Sequence, residues 1–377
     1  MDGNFTVGLP PRRDEVKFKA RNTAKGKNLK ILFVIANLAN GGAERVLAAL
    51  SSELAKDNEI HIAVLEKDCG FYEFSEKIAF HRLNFKGGGL GARIAKILAL
   101  RGLFKSVEPD LIISFIDWTN VICAVANFGL GCKHIATEHH ANEYLKSPKF
   151  RFIRDLCYRR VDGLSVLSKS DFEYYGFVKK REILHNPFFI KQNAQRNLRK
   201  ENIILSVGRL EEVKDYSTYF RALAMIKPEI LSGWSVQIAG EGSLEARLKK
   251  EALELGLDVE FLGHVKDVAP LYERAKIFVI SSVSEGLSNA LIEAGCLGCA
   301  RVSSDTVGGR ELIKNGVNGA IFEIGNASEL ARILSEILSD ESLQKRLGEA
   351  AKADAGEFEL ENIMKKWRKF IDEVMRK

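Results

Sequence analysis

Two acids in the second half of this 377-residue chain, Glu285 and Glu293, have types and spacing that suit ligand chemistry. The apolar segment IFVISS leads into a polar turn and a helical pattern that contain both acids. A helix that follows a strand points its first N–H groups at an anion beyond the strand's carboxyl end. The acids lie up to about 12 Å apart, so they could grip the sugar and the ribose of a nucleotide sugar. Taken alone, the pair fits a helix with two surface glutamates better.

Cations and glycines follow other predicted strands. Arg209 and Lys214 come after NIILSVG, and glycines occur in AGEG, FLGHV and NGGAER. Two cations beyond a strand end would stabilise the charge that develops on a leaving diphosphate. Gly41 and Gly42, between a buried strand and a helix, would allow close approach of a ligand to the backbone. This last pattern also fits dinucleotide enzymes, although G-x-G-x-x-G is absent.

Together these motifs resemble the retaining, nucleotide-sugar-dependent glycosyltransferases of family 4, over about residues 29–375. The resemblance implies an α/β chain with the GT-B fold, in which two doubly wound Rossmann-like domains face each other across a cleft. Residues 29–192 would form the acceptor and membrane-facing domain, to which a helix at about 357–377 returns. Residues 193–356 would bind the nucleotide sugar. Retention implies same-face attack, with the diphosphate helping to deprotonate the acceptor.

The resemblance also assigns roles to residues. Glu285 and the turn after it would bind the donor sugar, Glu293 the ribose, and the segment from Gly263 the base. The histidine of the family's Glu-His pair faces the transferred sugar, which gives this role to His139, with His140 the lesser candidate. The predicted catalytic residues are therefore Glu285, His139, Lys214 and Arg209. The predicted donor-binding residues are Gly41, Gly42, Arg209, Lys214, Gly240, Gly263, Val265, Glu285, Gly286, Leu287, Ser288, Asn289 and Glu293.

We expect no cofactor and no metal, because the cation pair can serve the diphosphate of a UDP-sugar co-substrate and no Asp-x-Asp motif is present. Cys296 and Cys299 form a C-x-x-C pattern, but no second Cys or His pair stands at metal-ligand spacing. Buried packing explains them better. Six cysteines and no signal peptide predict a reducing cytoplasm.

Positive charge is concentrated in the first half of the chain. Residues 1–192 carry 30 Lys and Arg against 21 Asp and Glu, whereas the rest carry 26 against 29. Residues 1–28 are predicted to be a basic tail, to which we assign no chemistry. Two further basic stretches, residues 87–107 and 146–160, interleave cations with apolar residues, as in helices that lie on anionic bilayers.

Core packing with a solvated basic face, or nucleic-acid binding, would also suit these two stretches, but no nucleic-acid module accompanies them. We expect peripheral contact with an anionic membrane or a lipid diphosphate. Residues 111–132 are interrupted by polar side chains and fit a strand and a helix better than a membrane span. The predicted acceptor and membrane contacts are Arg93, Lys96, Arg101, Lys105, Arg151 and Arg154.

The resemblance narrows along GGAER, LIISFIDWTN, EHHANEYL, FRFIRD and LSVLSKSD. These stretches are similar to the N-acetylgalactosaminyltransferases that extend the lipid-linked oligosaccharide of bacterial protein N-glycosylation. This implies UDP-GalNAc as donor, an undecaprenyl-diphosphate-linked glycan as acceptor, and one or several transfers at the cytoplasmic face of the inner membrane. The alternatives are a family 4 enzyme with another donor or a lipopolysaccharide acceptor, a nucleotide-sugar epimerase, and a non-catalytic nucleotide-sugar-binding protein.

Overall fold

The computed structural model describes residues 28–39, 41–68, 70, 73–190 and 199–376. All but the last residue of the predicted basic tail, and most of the polar segment around residue 195, lie outside these residues. The described chain forms two parallel sheets, one of seven strands and one of six, each flanked by helices. Among the described residues, no helix combines the length and the apolar character needed to cross a bilayer.

The first sheet has the strand order β3-β2-β1-β4-β5-β6-β7. Its strands are β1 (Lys30–Ile35), β2 (Glu59–Val64), β3 (Ala79–Arg82), β4 (Leu111–Phe115), β5 (Lys133–Thr137), β6 (Gly163–Val166) and β7 (Arg181–Ile183). The helices between them are α1 (Gly42–Leu54), α2 (Leu90–Val107), α3 (Asp117–Ala126), α4 (Pro148–Tyr158) and α5 (Lys169–Tyr174). A 3-10 turn spans Asn142–Tyr144.

The second sheet has the order β10-β9-β8-β11-β12-β13. Its strands are β8 (Glu201–Val207), β9 (Ser235–Ala239), β10 (Val259–Gly263), β11 (Ala275–Ile280), β12 (Ala300–Ser304) and β13 (Ala320–Phe322). The helices are α6 (Tyr216–Met225), α7 (Pro228–Leu231), α8 (Glu245–Glu254), α9 (Ala269–Arg274), α10 (Asn289–Cys296), α11 (Val307–Leu312), α12 (Ala327–Ser339), α13 (Glu341–Ala353) and α14 (Leu360–Met375). The 3-10 turns are Glu212–Lys214 and Asp354–Phe358.

The central strands are apolar because helices cover both faces of each sheet. All five residues of β4 and five of the six in β1 are buried, as parallel sheets require. The last helix, α14, packs Trp367, Phe370 and Val374 into the same core as β1 and β5. A side chain at Gly163 would lie 2.7 Å from Val374, so the chain's end is fitted closely against the first sheet.

Each sheet has one switch point, where the chain leaves a central strand in one direction and later returns on its other side. In the first sheet this point lies between β1 and β4, and in the second between β8 and β11. The carboxyl ends of strands at such a point leave a crevice where ligands of α/β proteins bind. The first crevice is lined by the segments after β1, β4 and β5, and the second by Gly208, Arg209 and residues 281–288.

Candidate active site

An ion pair occupies the second crevice. Lys214, from the 3-10 turn after β8, donates its ammonium to the Glu285 carboxylate. Ser282 Oγ donates to the same carboxylate oxygen at 2.8 Å. Both charged side chains are less than one-fifth exposed. The structure therefore brings together two residues that the sequence analysis placed in the site with separate roles.

The loop that carries Arg209 is held by close backbone contact. A Cβ on Gly240 would lie only 1.9 Å from the carbonyl oxygen of Gly208, and Gly240 has φ +146°. Glycine is required here because no side chain fits between the two loops. Gly240 N–H also donates to the carbonyl of Gly263 at 2.8 Å. Gly240 thus positions Arg209, which is exposed at the crevice.

The amino end of α10 forms the floor of the second crevice. Ser288 caps the helix by accepting from the Leu291 N–H at 3.3 Å. Leu287 is buried in the core of the second domain, so only its backbone is available to a ligand. The remaining first-turn N–H groups give this end of the helix its attraction for anions. Gly263 and Val265 lie at the end of β10, two strands away from β8.

Glu293, one turn further along α10, contacts the first domain. Its Oε1 accepts from Arg45 Nη1 at 2.8 Å, and the carboxylate is 6% exposed. Burial raises the pKa of Glu293, and Arg45 opposes that rise. The guanidinium of Arg45 also stacks on the Phe189 ring at 4.2 Å. Sequence analysis missed Arg45 as a site residue, although its place in the NGGAER motif was a usable signal.

The two crevices meet at a tight junction. A Cβ on Gly286 would lie 2.6 Å from the carbonyl oxygen of His139, and one on Gly42 would lie 3.1 Å from Asn289 Nδ2. The His139 ring stacks on Phe115 with centroids 5.4 Å apart. Burial lowers its pKa to about 3, so His139 is neutral at physiological pH and suited to hydrogen bonding with a sugar hydroxyl.

The first crevice is lined by acids. Glu44 folds back at the start of α1, so that a Cβ on Gly41 would lie 2.1 Å from its Oε2. Burial raises the pKa of Glu44, while His140 and Arg209 lower it from either side of the junction. The space that Gly41 was predicted to leave for a ligand is thus filled by a carboxylate. Asp117 and His140 complete this wall with a hydrogen bond of 2.7 Å.

Comparison with known proteins identifies the group to which this site belongs. A model of glycosyl transferases group 1 matches residues 188–354, and one of glycosyltransferase family 4 matches residues 40–181. A Campylobacter jejuni alpha-1,4-N-acetyl-D-galactosaminyltransferase, named for GalNAc-alpha-(1->4)-GalNAc-alpha-(1->3)-diNAcBac-PP-undecaprenol, is 36% identical over 92% of this chain and 99% of its own. The chain belongs to glycosyltransferase family 4.

Other comparisons extend this result to the fold. A second Campylobacter jejuni enzyme, a 4-alpha-N-acetylgalactosaminyltransferase acting on a diphospho-undecaprenol-linked glycan, is 29% identical over 91% of this chain and 99% of its own. The crystal structure of Anabaena HepE in complex with UDP matches with a TM-score of 0.76 at 19% identity, covering 92% of this chain and all of HepE. The lipopolysaccharide outer core galactosyltransferase WaaB matches with a TM-score of 0.74 at 20% identity, over 92% and 99% of the two chains. The predicted GT-B fold is confirmed.

Two of the predicted membrane contacts in this family 4 glycosyltransferase are wrong. Lys96 is buried and ion-paired with Glu66 at 2.5 Å. Arg154 is 1% exposed and donates to Asn142 and Asp155. Both cations face the protein because each has a partner there, and a buried charge without one is costly.

The other predicted cations differ in how freely they project. Arg93 lies over the Trp118 ring at 3.7 Å, Arg101 donates to two backbone carbonyls at the end of α3, and Arg151 donates to the carbonyl of Leu145 at 2.6 Å. Lys105 is exposed. These four remain predictions as acceptor or membrane contacts.

The surface around these cations is apolar, as the interleaving of cations with apolar residues in the sequence predicted for α2 and α4. The helices α2, α3 and α4 of this glycosyltransferase pack side by side. Their outward apolar side chains are 42–74% exposed: Leu90, Ile94, Leu98, Val125, Phe128, Phe152, Ile153 and Leu156. We call these eight residues the apolar face. A grouping of this kind marks a binding surface for a partner or a membrane.

Proposed function

We propose that this glycosyltransferase transfers N-acetylgalactosamine from UDP-GalNAc to an undecaprenyl-diphosphate-linked glycan in bacterial protein N-glycosylation. The observation that carries the proposal is the junction between the crevices. There the Lys214–Glu285 pair and the amino end of α10 lie opposite a neutral His139. This arrangement offers cationic groups to a diphosphate and hydrogen-bonding groups to the adjoining sugar. The two Campylobacter jejuni relatives support the choice of sugar and lipid carrier.

The donor diphosphate would bind at the amino end of α10 beside Arg209 and Lys214. When Lys214 turns to the diphosphate, the Glu285 carboxylate is released to accept hydrogen bonds from the donor sugar. As the bond from the anomeric carbon to the diphosphate breaks, its electron pair passes to the diphosphate, where the two cations and the helix N–H groups stabilise it. Glu293, oriented by Arg45, would hold the ribose. No cofactor or metal is needed for this charge stabilisation, and the anomeric configuration is retained.

The lipid-linked acceptor would approach from the first domain. Trp118 follows Asp117 at the first crevice. Its ring stacks on Phe150 of α4 with centroids 4.2 Å apart, and the guanidinium of Arg93 from α2 lies over the same ring. These contacts join the crevice to α2 and α4, the helices that carry most of the apolar face. Insertion of that face into the cytoplasmic leaflet, with Lys105 near anionic headgroups, would place the glycan end of the acceptor at the junction.

The test is mass analysis of a defined polyprenyl-diphosphate-linked glycan after incubation with the purified protein. UDP-GalNAc, UDP-GlcNAc and UDP-glucose are supplied separately, with EDTA present. Growth by one or more HexNAc units with UDP-GalNAc alone is the expected result, and the ladder length gives the number of transfers. Growth with another donor would replace the proposed sugar. Isomerisation of the donor without glycan growth would instead indicate an epimerase.

A further inference from the structure

The first crevice carries a histidine–carboxylate pair that the donor chemistry does not use. Asp117 Oδ2 and His140 Nδ1 are 2.7 Å apart, at the carboxyl ends of the neighbouring strands β4 and β5. The His140 side chain is 66% exposed and that of Asp117 is 24% exposed. Within the described part of the chain, His140 Nε2 has no hydrogen-bond partner. The pair therefore presents one oriented ring nitrogen to solvent at a switch point, where ligands bind.

The backbone before the pair is held in an unusual conformation. Ile116 has φ +70° and Asp117 has φ +36°, and left-handed backbone is a genuine outlier for a β-branched residue. The Ile116 N–H donates to the carbonyl of Thr137 at 3.0 Å, which ties the end of β4 to β5. Such strain persists where the surrounding structure fixes it, and here it directs Asp117 toward His140.

Charge decides what this crevice accepts. The carboxylates of Glu44 and Asp117 lie on the same wall, and Glu44 already occupies the amino end of α1. A diphosphate would meet two like charges here, whereas Arg209 and Lys214 attract it to the opposite crevice. Hydroxyl groups of a neutral sugar, by contrast, hydrogen-bond well to carboxylates and to an imidazole.

We propose that His140 binds a hydroxyl of the acceptor's terminal sugar and that Asp117 is the positioning residue that orients its ring. His140 Nδ1–H donates to Asp117, and Nε2 bonds the hydroxyl, accepting its hydrogen bond when the ring is neutral and donating one to its oxygen when the ring is protonated. On transfer, the acceptor oxygen bonds to the anomeric carbon, the diphosphate leaves with the bonding electrons, and the hydroxyl proton passes to a diphosphate oxygen. His140 therefore ends the reaction in the protonation state in which it began. The proposal rests on the proposed function, because it concerns the acceptor of that same transfer.

Comparing the KM for the glycan with the Kd for UDP distinguishes a role of His140 in acceptor binding from a purely structural role. The variants are His140→Ala, His140→Gln and Asp117→Asn. The matched control is His81→Ala, in β3 at the far edge of the same sheet. For His140→Ala we expect the KM for the glycan to rise about tenfold, the value of one lost hydrogen bond. The Kd for UDP should not change. His140→Gln should recover part of the loss, Asp117→Asn should show a smaller shift of the same kind, and the control should show none.

An unchanged glycan KM in His140→Ala, or an equal loss of UDP affinity, would overturn the proposal. If the wild-type protein transfers no sugar to the lipid-linked glycan, the proposed function fails by itself. In that event calorimetric binding of a soluble, GalNAc-terminated oligosaccharide to the UDP complex is compared between wild type and His140→Ala. Equal affinities would then overturn the role of His140, and a weaker variant would support it.

Discussion

The two crevices are built by the same topology but carry opposite charge. At the β8/β11 switch point, Arg209 and Lys214 follow β8, and Lys214 pairs with Glu285 just before α10. At the β1/β4 switch point, Glu44 and Asp117 flank His140. A doubly wound sheet provides the crevice, and the few residues after its central strands decide which half of a transfer reaction it serves. Here one crevice suits a diphosphate and the other suits hydroxyl groups.

This contrast runs against the charge of the whole domains. Residues 1–192 have an excess of cations and the rest an excess of acids, so the charge of each half is opposite in sign to that of the crevice it contains. The cations of the first domain are used elsewhere. Lys96 and Arg154, for example, have partners inside the protein. Net charge describes a domain's long-range field, whereas the ligand responds to the groups it touches.

The largest expected effect comes from removing Lys214, one of the two cations of the second crevice. We expect Lys214→Met to lower kcat on the order of 10²–10³-fold, because the leaving diphosphate loses a donor that acts mainly in the transition state. Glu285→Ala should lose a comparable factor, since it removes the predicted sugar contact. Transfer assays at saturating donor measure both. Lys345→Met, at an exposed pair with Glu349, is the control, and wild-type turnover in Lys214→Met and Glu285→Ala would contradict the assignment.

A smaller effect tests whether the two crevices are coupled. Arg45→Met removes the first domain's contact with Glu293. We expect UDP to bind about tenfold more weakly, because the Glu293 carboxylate that is proposed to hold the ribose loses its orienting partner. Calorimetry with UDP measures this. Arg310→Met breaks another inter-domain pair, with Glu143 at 2.8 Å, without touching Glu293. Arg310→Met should bind UDP as the wild type does. An equal loss of UDP affinity in Arg310→Met would show that losing any contact between the domains weakens UDP binding.

An acid buried behind the first crevice, Glu138, makes the stability of the protein depend on pH. Glu138 is buried, accepts from Tyr158, and has an Oε2 with no partner in the described structure. Burial, with help from Asp117, raises its pKa to about 8. Between its ordinary value and about 8, folded Glu138 keeps a proton that unfolded Glu138 releases, so stability falls as pH rises through this range. Below about pH 8, Glu138 therefore adds no negative charge to the crevice.

Glu138→Gln should remove this pH dependence. From pH 7 to 9 we expect the wild-type protein to lose about 1–2 kcal/mol of unfolding free energy that the variant retains. Denaturant titrations at the two pH values measure the difference. This window avoids His134, whose pKa is lowered by burial to about 4 and which affects stability only at lower pH. Parallel loss in both proteins would show that Glu138 is already ionised at pH 7.

Much of the fold was predictable because the buried strands of a parallel sheet have continuous apolar sequences. KILFVI, LIISF and IFVI are such runs, and all three became central strands. The placement of Glu285, Ser288 and Glu293 together after β11 was predictable for a related reason, because the three residues lie within one turn and one helix. Their family motif is therefore contiguous in sequence.

The remaining site features depend on contacts between distant segments. Arg45 meets Glu293 across 248 positions, and no periodicity in either segment predicts that distance. The orientation of α2 was missed for a similar reason. Its cations and apolar residues alternate so closely that the sequence did not show which face packs inward. The face that carries Lys96 packs inward because Lys96 pairs with Glu66, 30 positions away.

The smallest expected effect concerns the apolar face and tests the proposal that this face enters an anionic bilayer. Leu98 is 63% exposed on α2, and we expect Leu98→Ala to weaken binding to anionic phospholipid vesicles about fivefold, because part of a leucine side chain's burial is lost. Leu253→Ala, at a leucine 78% exposed on α8 of the second domain, is the matched control and should bind as the wild type does. Co-sedimentation at two salt concentrations measures both variants. Equal weakening in the two variants, or a loss confined to Lys105→Met at low salt, would show that the apolar face does not enter the bilayer and that cations alone hold the first domain to it.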